Sequence, residues 1–356
     1  MNKLKKSYIA ERMNLHFVRF VLQFFKSSFK QKDKVLVKSC DGIGDILVRS
    51  RLAQRIIDKY GKDNVYFLMQ EHYTKLGEML GYNAIGYSRK ERKKIFHRLK
   101  KMFDLNRMGF FKYINIEFGN DITVGNLFME ERVGKIDNHW MVCKNNKYYT
   151  KALAIEDLYV IDQIALMGKE IIDSKLTRDD FMPDLREIFE VSEEDIVIAV
   201  GSTEKTRVCS PKLMIEYIKT IIENFPDKKI LLVGNGERQK KYADEIVSYF
   251  KSSNLENLVD KTSLKEVFEI VAKSFLFIGF ESGLYNLCFA LKKRGIILFK
   301  ERSGVFIHEV PWLKIIFPSE LKRVVEDNEY LGEGINSITP KEFEKELLKI
   351  REEEEV

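Results

Sequence analysis

Short β-rich runs alternate with helical stretches along most of this 356-residue chain, and the alternation begins twice. In the first series, residues 35–39 form a compact apolar run. A Gly-rich turn at 41–44 and a helical pattern over 45–60 follow, with further strands expected at 65–69, 113–117 and 132–135. A long helical stretch, 152–167, closes this series. The second series starts at 196–201 and adds strands at 229–233, 275–278 and 295–299. Helices are expected between them at 211–224, 237–250, 264–272 and 283–291. Regular strand–helix alternation forces parallel sheets with right-handed crossovers, because each helix must return the chain to the same end of the sheet. The expected class is therefore α/β, with two Rossmann-like domains at 34–172 and 173–335. The polar stretch 173–184 serves as hinge, and an acidic C-terminal helix within 336–356 is expected as a solvent-facing strut.

In such sheets a ligand sits beyond the carboxyl ends of the strands, so residues just after each strand carry the functional information. Three segments stand there. After the first strand comes Ser39-Cys40-Asp41-Gly42-Ile43-Gly44-Asp45. Gly42 and Gly44 permit a sharp turn and close approach of a ligand. Asp45 then opens a helix, a position an Asp also fills simply as a cap. The segment is not a dinucleotide fingerprint, because Leu47 occupies the place of the third glycine, which disfavours a nicotinamide oxidoreductase. After the first strand of the second series comes Gly201-Ser202-Thr203-Glu204-Lys205-Thr206-Arg207. Small hydroxyl residues followed by two cations suit a diphosphate, and a structural loop with surface cations is an equal alternative. The third segment is Gly279-Phe280-Glu281-Ser282-Gly283, where a strand turns into a helix. The free amides of Ser282 and Gly283 suit an anion, and Glu281 is either a sugar ligand or a cap.

Charge is concentrated at the N-terminus. Residues 1–34 hold nine Lys/Arg against Glu11 and Asp33, more than the whole formal excess of +6. Taken as a helix, residues 15–30 gather His16, Arg19, Gln23, Lys26, Ser27 and Lys30 on a narrow polar arc, and aliphatic and Phe side chains fill the rest. Arg19 and Lys26 break the apolar run short of the ~18 residues a spanning helix needs. No signal-peptide cleavage site is visible. This pattern suits a helix lying on an anionic membrane; packing on the protein's own core or on a second subunit is the alternative. A second basic stretch, 89–107, either extends that positive surface or is a solvated helix face. No nucleic-acid-binding motif accompanies the charge. Cys40, Cys143, Cys209 and Cys288 are widely spaced, which suggests neither a disulfide framework nor a zinc site and suits a reducing, cytoplasmic compartment.

Together the motifs resemble glycosyltransferase family 9, the heptosyltransferase-like enzymes, from about Val35 to Trp312. The carriers are Gly44-Asp45, the acidic stretch from Ile155 to Asp162, and Gly201-Ser202-Thr203 with Lys205 and Arg207. To these add Leu232-Val233-Gly234-Asn235-Gly236-Glu237, Lys261-Thr262-Ser263-Leu264, and Glu281-Ser282-Gly283 with Asn286 and Ala290. The chain departs from the family pattern in having Glu281 for Asp, Asn286 for His, Cys209-Ser210 for Trp-Pro, and Lys300-Glu301-Arg302 for a Gly-Pro-Thr turn.

The resemblance implies the GT-B arrangement, with two Rossmann-like domains whose parallel sheets face across a cleft. It also implies inverting transfer of heptose or a related sugar to a lipopolysaccharide-core or other lipid-linked acceptor. Asp45 would be the base, with Gly42 and Gly44 in the acceptor-side loop. Ser202, Thr203, Lys205 or Arg207, Ser282 and Gly283 would hold the donor diphosphate, and alignment on Pro211 favours Arg207. Glu237 would bind the ribose, and Glu281 would also lie on the donor. The expected donor is a nucleotide sugar such as ADP-heptose, no metal is expected, and the location is the inner membrane face. The alternative is a non-catalytic relative that binds a nucleotide or glycan as a membrane-surface scaffold.

Overall fold

In the computed structural model, residues 3–117, 123–136, 143–155, 159–250, 254–302, 306–319 and 334–354 are described. The chain divides into two compact units, Met1–Phe181 and Met182–Val356. Unit 1 runs α1 (Lys3–Gln23), β1 (Lys32–Ser39), α2 (Ile43–Val48), α3 (Ser50–Tyr60), β2 (Val65–Gln70), α4 (Thr74–Met79) and β3 (Asn83–Tyr87). It continues through α5 (Arg89–Lys93), α6 (Ile95–Arg107), β4 (Phe110–Asn115), β5 (Glu131–Lys135), β6 (Lys151–Leu153) and α7 (Val160–Ile171). Its six strands are all parallel, in the order β3-β2-β1-β4-β5-β6.

Unit 2 runs β7 (Ile196–Ala199), α8 (Pro211–Asn224), β8 (Ile230–Val233), α9 (Glu237–Tyr249), β9 (Leu255–Asn257) and α10 (Leu264–Ala272). Then come β10 (Leu276–Phe280), α11 (Gly283–Ala290), β11 (Gly295–Leu298), β12 (Leu313–Ile316) and α12 (Pro340–Glu354). Its strands are again all parallel, in the order β12-β11-β10-β7-β8-β9. The expectation of two parallel Rossmann-like sheets is borne out. The central strands β7, β10 and β11 are buried along their whole length, as strands covered on both faces must be.

Local sequence explains where several helices begin. Ser210 accepts the Leu213 amide and is followed by Pro211 at the first helical position, so α8 starts there. At α10 the Ser263 hydroxyl accepts the Glu266 amide and the Glu266 carboxylate accepts the Ser263 amide, a capping box.

Three expectations need correction. The α7 helix begins at Val160 rather than near residue 152, because residues 151–153 pair with β5 as an edge strand. Of the acidic stretch, Glu156 and Asp157 lie outside the described residues. The C-terminal helix is not a solvent-facing strut. Phe343, Leu347 and Ile350 recur at helical spacing on its inner face, all are buried in the unit 2 core, and Phe343 stacks on Tyr217 at 4.5 Å. The N-terminal helix spans Lys3–Gln23 rather than 15–30, with a single 3₁₀ turn at Lys26–Ser28.

One face of α1 belongs to the protein's own core. Leu15, Val18 and Leu22 are buried in the cluster that contains Leu36, Leu68, Met102 and Tyr113. Asn126 donates to the Leu15 carbonyl at 2.9 Å, and Arg19, expected on the outer polar arc, donates to the Gly125 carbonyl at 2.6 Å instead. A side chain at Gly125 would meet Leu15 and Tyr148 within about 3 Å, so the glycine lets the helix sit this close. The basic stretch 89–107 is not a uniform solvated face either, since Arg98 is fully buried with its Nε on Asn126. Among the described residues, no helix is long and apolar enough to cross a membrane.

Candidate active-site loops

Both sheets reverse strand order beside their first strand, between β1 and β4 in unit 1 and between β7 and β10 in unit 2. At such a point neighbouring crossovers depart to opposite faces and leave a crevice at the carboxyl edge. In unit 1 this edge carries the Asp45 loop. Gly42 is the N-cap of α2 and Asp45 its third residue, so Asp45 is not the cap. Its carboxylate lies 3.6 Å from Nη2 of Arg49, one turn later, and Arg49 is itself buried and paired with Asp41. Burial raises the Asp45 pKa above the ordinary range; Arg49 pulls it down and Asp41 pushes it up. A partly desolvated carboxylate of raised basicity, held by an arginine already committed elsewhere, suits proton abstraction.

Sequence reasoning did not single out Lys38 and Glu117, which form a buried ion pair across the switch point. Glu117 also accepts the Cys40 amide, and its own amide donates to Asn115, so it fixes the start of the Asp45 loop. Burial drives its pKa upward, against the attraction of Lys38. The signal was present: Lys38 directly follows the apolar run Val35-Leu36-Val37 in the inner half of its strand, and a cation there calls for a buried partner. Beside this pair lies a cavity of about 500 Å³, bordered by Lys38, Asp41, Glu117 and three cations, Arg89, Arg92 and Lys93. Glu11 of α1 forms part of its wall. Arg92 donates to Gln70, and Gln70 donates to the Asp41 carbonyl, so the cationic rim is wired to the Asp45 loop.

In unit 2 the loop after β7 meets the start of α11. Ser202 is buried and donates to the Glu281 carbonyl at 2.7 Å. Arg207 Nε stands 3.2 Å from the Glu281 carboxylate. The Ser282 hydroxyl caps α11 by accepting the Tyr285 amide, and Ser282 and Gly283 stand half-buried at the start of the helix, where the first amides have no partner within the helix. Glu281, set among Arg207, Glu204, Lys300 and Glu301, has a raised pKa, chiefly through burial.

The structure thus brings Ser202, Arg207, Glu281, Ser282 and Gly283 together. Thr203 and Lys205 are exposed on the same loop. Glu237 stands exposed at the start of α9, 3.7 Å from Lys241. Its neighbour Arg238, not singled out from sequence, instead reaches the Ser202 carbonyl at 2.5 Å. Lys300, at the end of β11, adds positive potential at Glu281.

The departure at Asn286 has a structural partner. Its amide nitrogen donates to the Ser282 carbonyl at 3.1 Å, and its oxygen lies 2.9 Å from Nε2 of the buried His308, which therefore carries its proton there. His308 stacks on Phe289 at 3.8 Å.

Comparison with known proteins bears out the resemblance. Residues 186–322 match glycosyltransferase family 9 (heptosyltransferase). Lipopolysaccharide heptosyltransferase 1 of Campylobacter coli is 28% identical over 158 residues, which is 43% of this chain and 42% of that protein; the alignment thus spans under half of the relative's length. Two solved structures share the fold at low identity. The E. coli ADP-heptose lps heptosyltransferase II aligns with a TM-score of 0.67 and 16% identity, covering 91% of this chain and 100% of that one. E. coli heptosyltransferase WaaC with ADP-2-deoxy-2-fluoro heptose aligns with a TM-score of 0.68 and 13% identity, covering 89% and 99%.

Proposed function

We propose that this chain, whose residues 186–322 match glycosyltransferase family 9, is an inverting, heptosyltransferase-type enzyme of lipopolysaccharide assembly. It moves heptose or a related sugar from a nucleoside diphosphate to a lipid-linked core glycan at the inner membrane face. The observation that carries this is the cluster of Ser202, Arg207, Glu281 and the α11 start, which lies inside the matched segment and at the carboxyl edge of its sheet. The WaaC structure holds an ADP-linked fluoro-heptose, which makes ADP-heptose the first donor to offer.

In the proposed reaction Asp45 removes the proton from an acceptor hydroxyl. The oxygen attacks the anomeric carbon from the face opposite the diphosphate, and the carbon–oxygen bond to the diphosphate breaks with the electron pair leaving on phosphate oxygen. Arg207 and the amides of Ser282 and Gly283 stabilise that charge, so no metal is required in this scheme. Glu281 orients Arg207, and Arg238 steadies the Ser202 loop. On the acceptor side, Arg89, Arg92 and Lys93 offer the cavity to an anionic group of the glycan.

The test is nucleotide release from ADP-, GDP- and UDP-sugars in the presence of a core-oligosaccharide extract. Acceptor-dependent release from one donor, lost in Asp45→Asn, is the expected result. Tight nucleotide binding without turnover on any acceptor would instead identify a non-catalytic scaffold.

A further inference from the structure

The α1 helix carries a second apolar stripe that the core does not use. Met13, Phe17, Phe20 and Phe24 recur at helical spacing on the side opposite Leu15, Val18 and Leu22, and they are 66%, 44%, 62% and 72% exposed. The helix packs beside α6, where Phe96 is also exposed; Asn14 donates to the carbonyl of Lys93 at the end of α5, and Phe25, just past α1, lies edge-on to Phe103 of α6. Lys26, Lys30, Lys93, Lys94 and Lys100 are exposed around this surface.

We propose that this face of α1 and α6 docks the protein on an anionic lipid bilayer, with the Met13–Phe24 stripe in the acyl boundary and the lysines on the headgroups. A stripe of this kind seats a helix in the interface plane at a depth of ~5–10 Å, without spanning. Charge selects the occupant. Two copies meeting through this face would bring both lysine rims together, whereas anionic headgroups neutralise them. The position serves the chemistry, because Glu11 of the same helix and Lys93 both border the cation-lined cavity. A lipid-linked acceptor would then present its glycan at the mouth of that cavity. Docking rests on the proposed transferase function for its purpose, but not for its measurement.

The experiment is flotation of the purified full-length chain with vesicles of phosphatidylcholine alone or mixed with phosphatidylglycerol. Flotation is expected only with the anionic lipid and is expected to weaken with salt. F20S/F24S is expected to lower partitioning roughly tenfold or more, since two exposed Phe side chains lose their apolar transfer. K26E/K30E is expected to lower it by ~fivefold or more per charge. These residues are exposed, so both variants are expected to keep the wild-type melting temperature and wild-type transfer to a deacylated, water-soluble acceptor. Wild type that ignores anionic vesicles, or F20S/F24S that floats equally well, overturns the proposal. So does a concentration-dependent dimer that F20S/F24S dissociates without any vesicle binding. Flotation without transfer to either acceptor leaves docking standing and removes the transferase function; transfer to the soluble acceptor without flotation does the reverse.

Discussion

The two switch points share a strand order and differ in what the protein buries there. In unit 1 the switch point holds Lys38 and Glu117, both nearly inaccessible, and the carboxylates Asp41 and Asp45 on the adjoining loop stay partly exposed. In unit 2 the equivalent contact is a neutral hydrogen bond from Ser202 to a backbone carbonyl, and the ion pair there, Arg207–Glu281, remains partly exposed. A buried pair gives rigidity at a desolvation cost, while a half-exposed pair can open to exchange one partner for a ligand. The first edge suits a carboxylate held still, and the second a cation that an incoming anion could engage.

The strongest way to break this contrast is Asp45→Asn. It is expected to lower kcat by ~10²–10⁴ while leaving nucleotide affinity unchanged, measured by nucleotide release and calorimetry. Next comes Glu117→Leu, which strands the Lys38 charge and is expected to cost about 3–5 kcal/mol in denaturant unfolding. K38M/E117L is expected to recover much of that loss, whereas Glu281→Gln in unit 2 is expected to change stability by less than about 1 kcal/mol. Third, Arg207→Ala is expected to weaken nucleotide binding by about 10- to 150-fold, against a few-fold for the exposed Lys205.

The smallest effect concerns pH. Asp45 acts as a base only when ionised, so kcat/KM is expected to fall as pH drops through its raised pKa, at a pH above that of an ordinary aspartate near ~3.9. The sign for stability is opposite. A carboxylate whose folded pKa is raised favours the folded state below its unfolded value and loses that contribution as pH rises. Asp45→Asn is therefore expected to melt slightly higher than wild type at neutral pH, and this gain is expected to vanish in acid.

What the sequence revealed divides along the same physical lines. The eight central strands were legible because burial on both faces leaves continuous apolar runs such as Val35–Leu36–Val37 and Leu276–Phe277–Ile278. The four strands that went unrecognised, β3, β6, β9 and β12, are the four sheet edges. Residues 151–153, for example, are exposed at two of three positions and carry no periodic signal. The candidate residues on the loops after β1, β7 and β10 were marked in the sequence by glycines and hydroxyls at strand ends. Lys38, Glu117, Arg238 and His308 were not, because their roles come from partners between 22 and 79 residues away. The apolar face of the N-terminal helix was legible as one broad surface, but its division into a core stripe and an outward stripe was not, since an apolar side chain on one helix gives no sign of which face the core will take.

One small packing detail reaches beyond energetics. Gln239 folds back so that its amide fills the space a β-carbon would need at both Gly201 and Gly234, within 2.1 and 2.3 Å, while its oxygen accepts the Asn235 amide. Two neighbouring segments of unit 2, at residue 201 and at residues 234–239, thus share one volume. A lineage that regains a side chain at either glycine must first shorten residue 239, so the two glycines and the glutamine are expected to change together or not at all among close relatives.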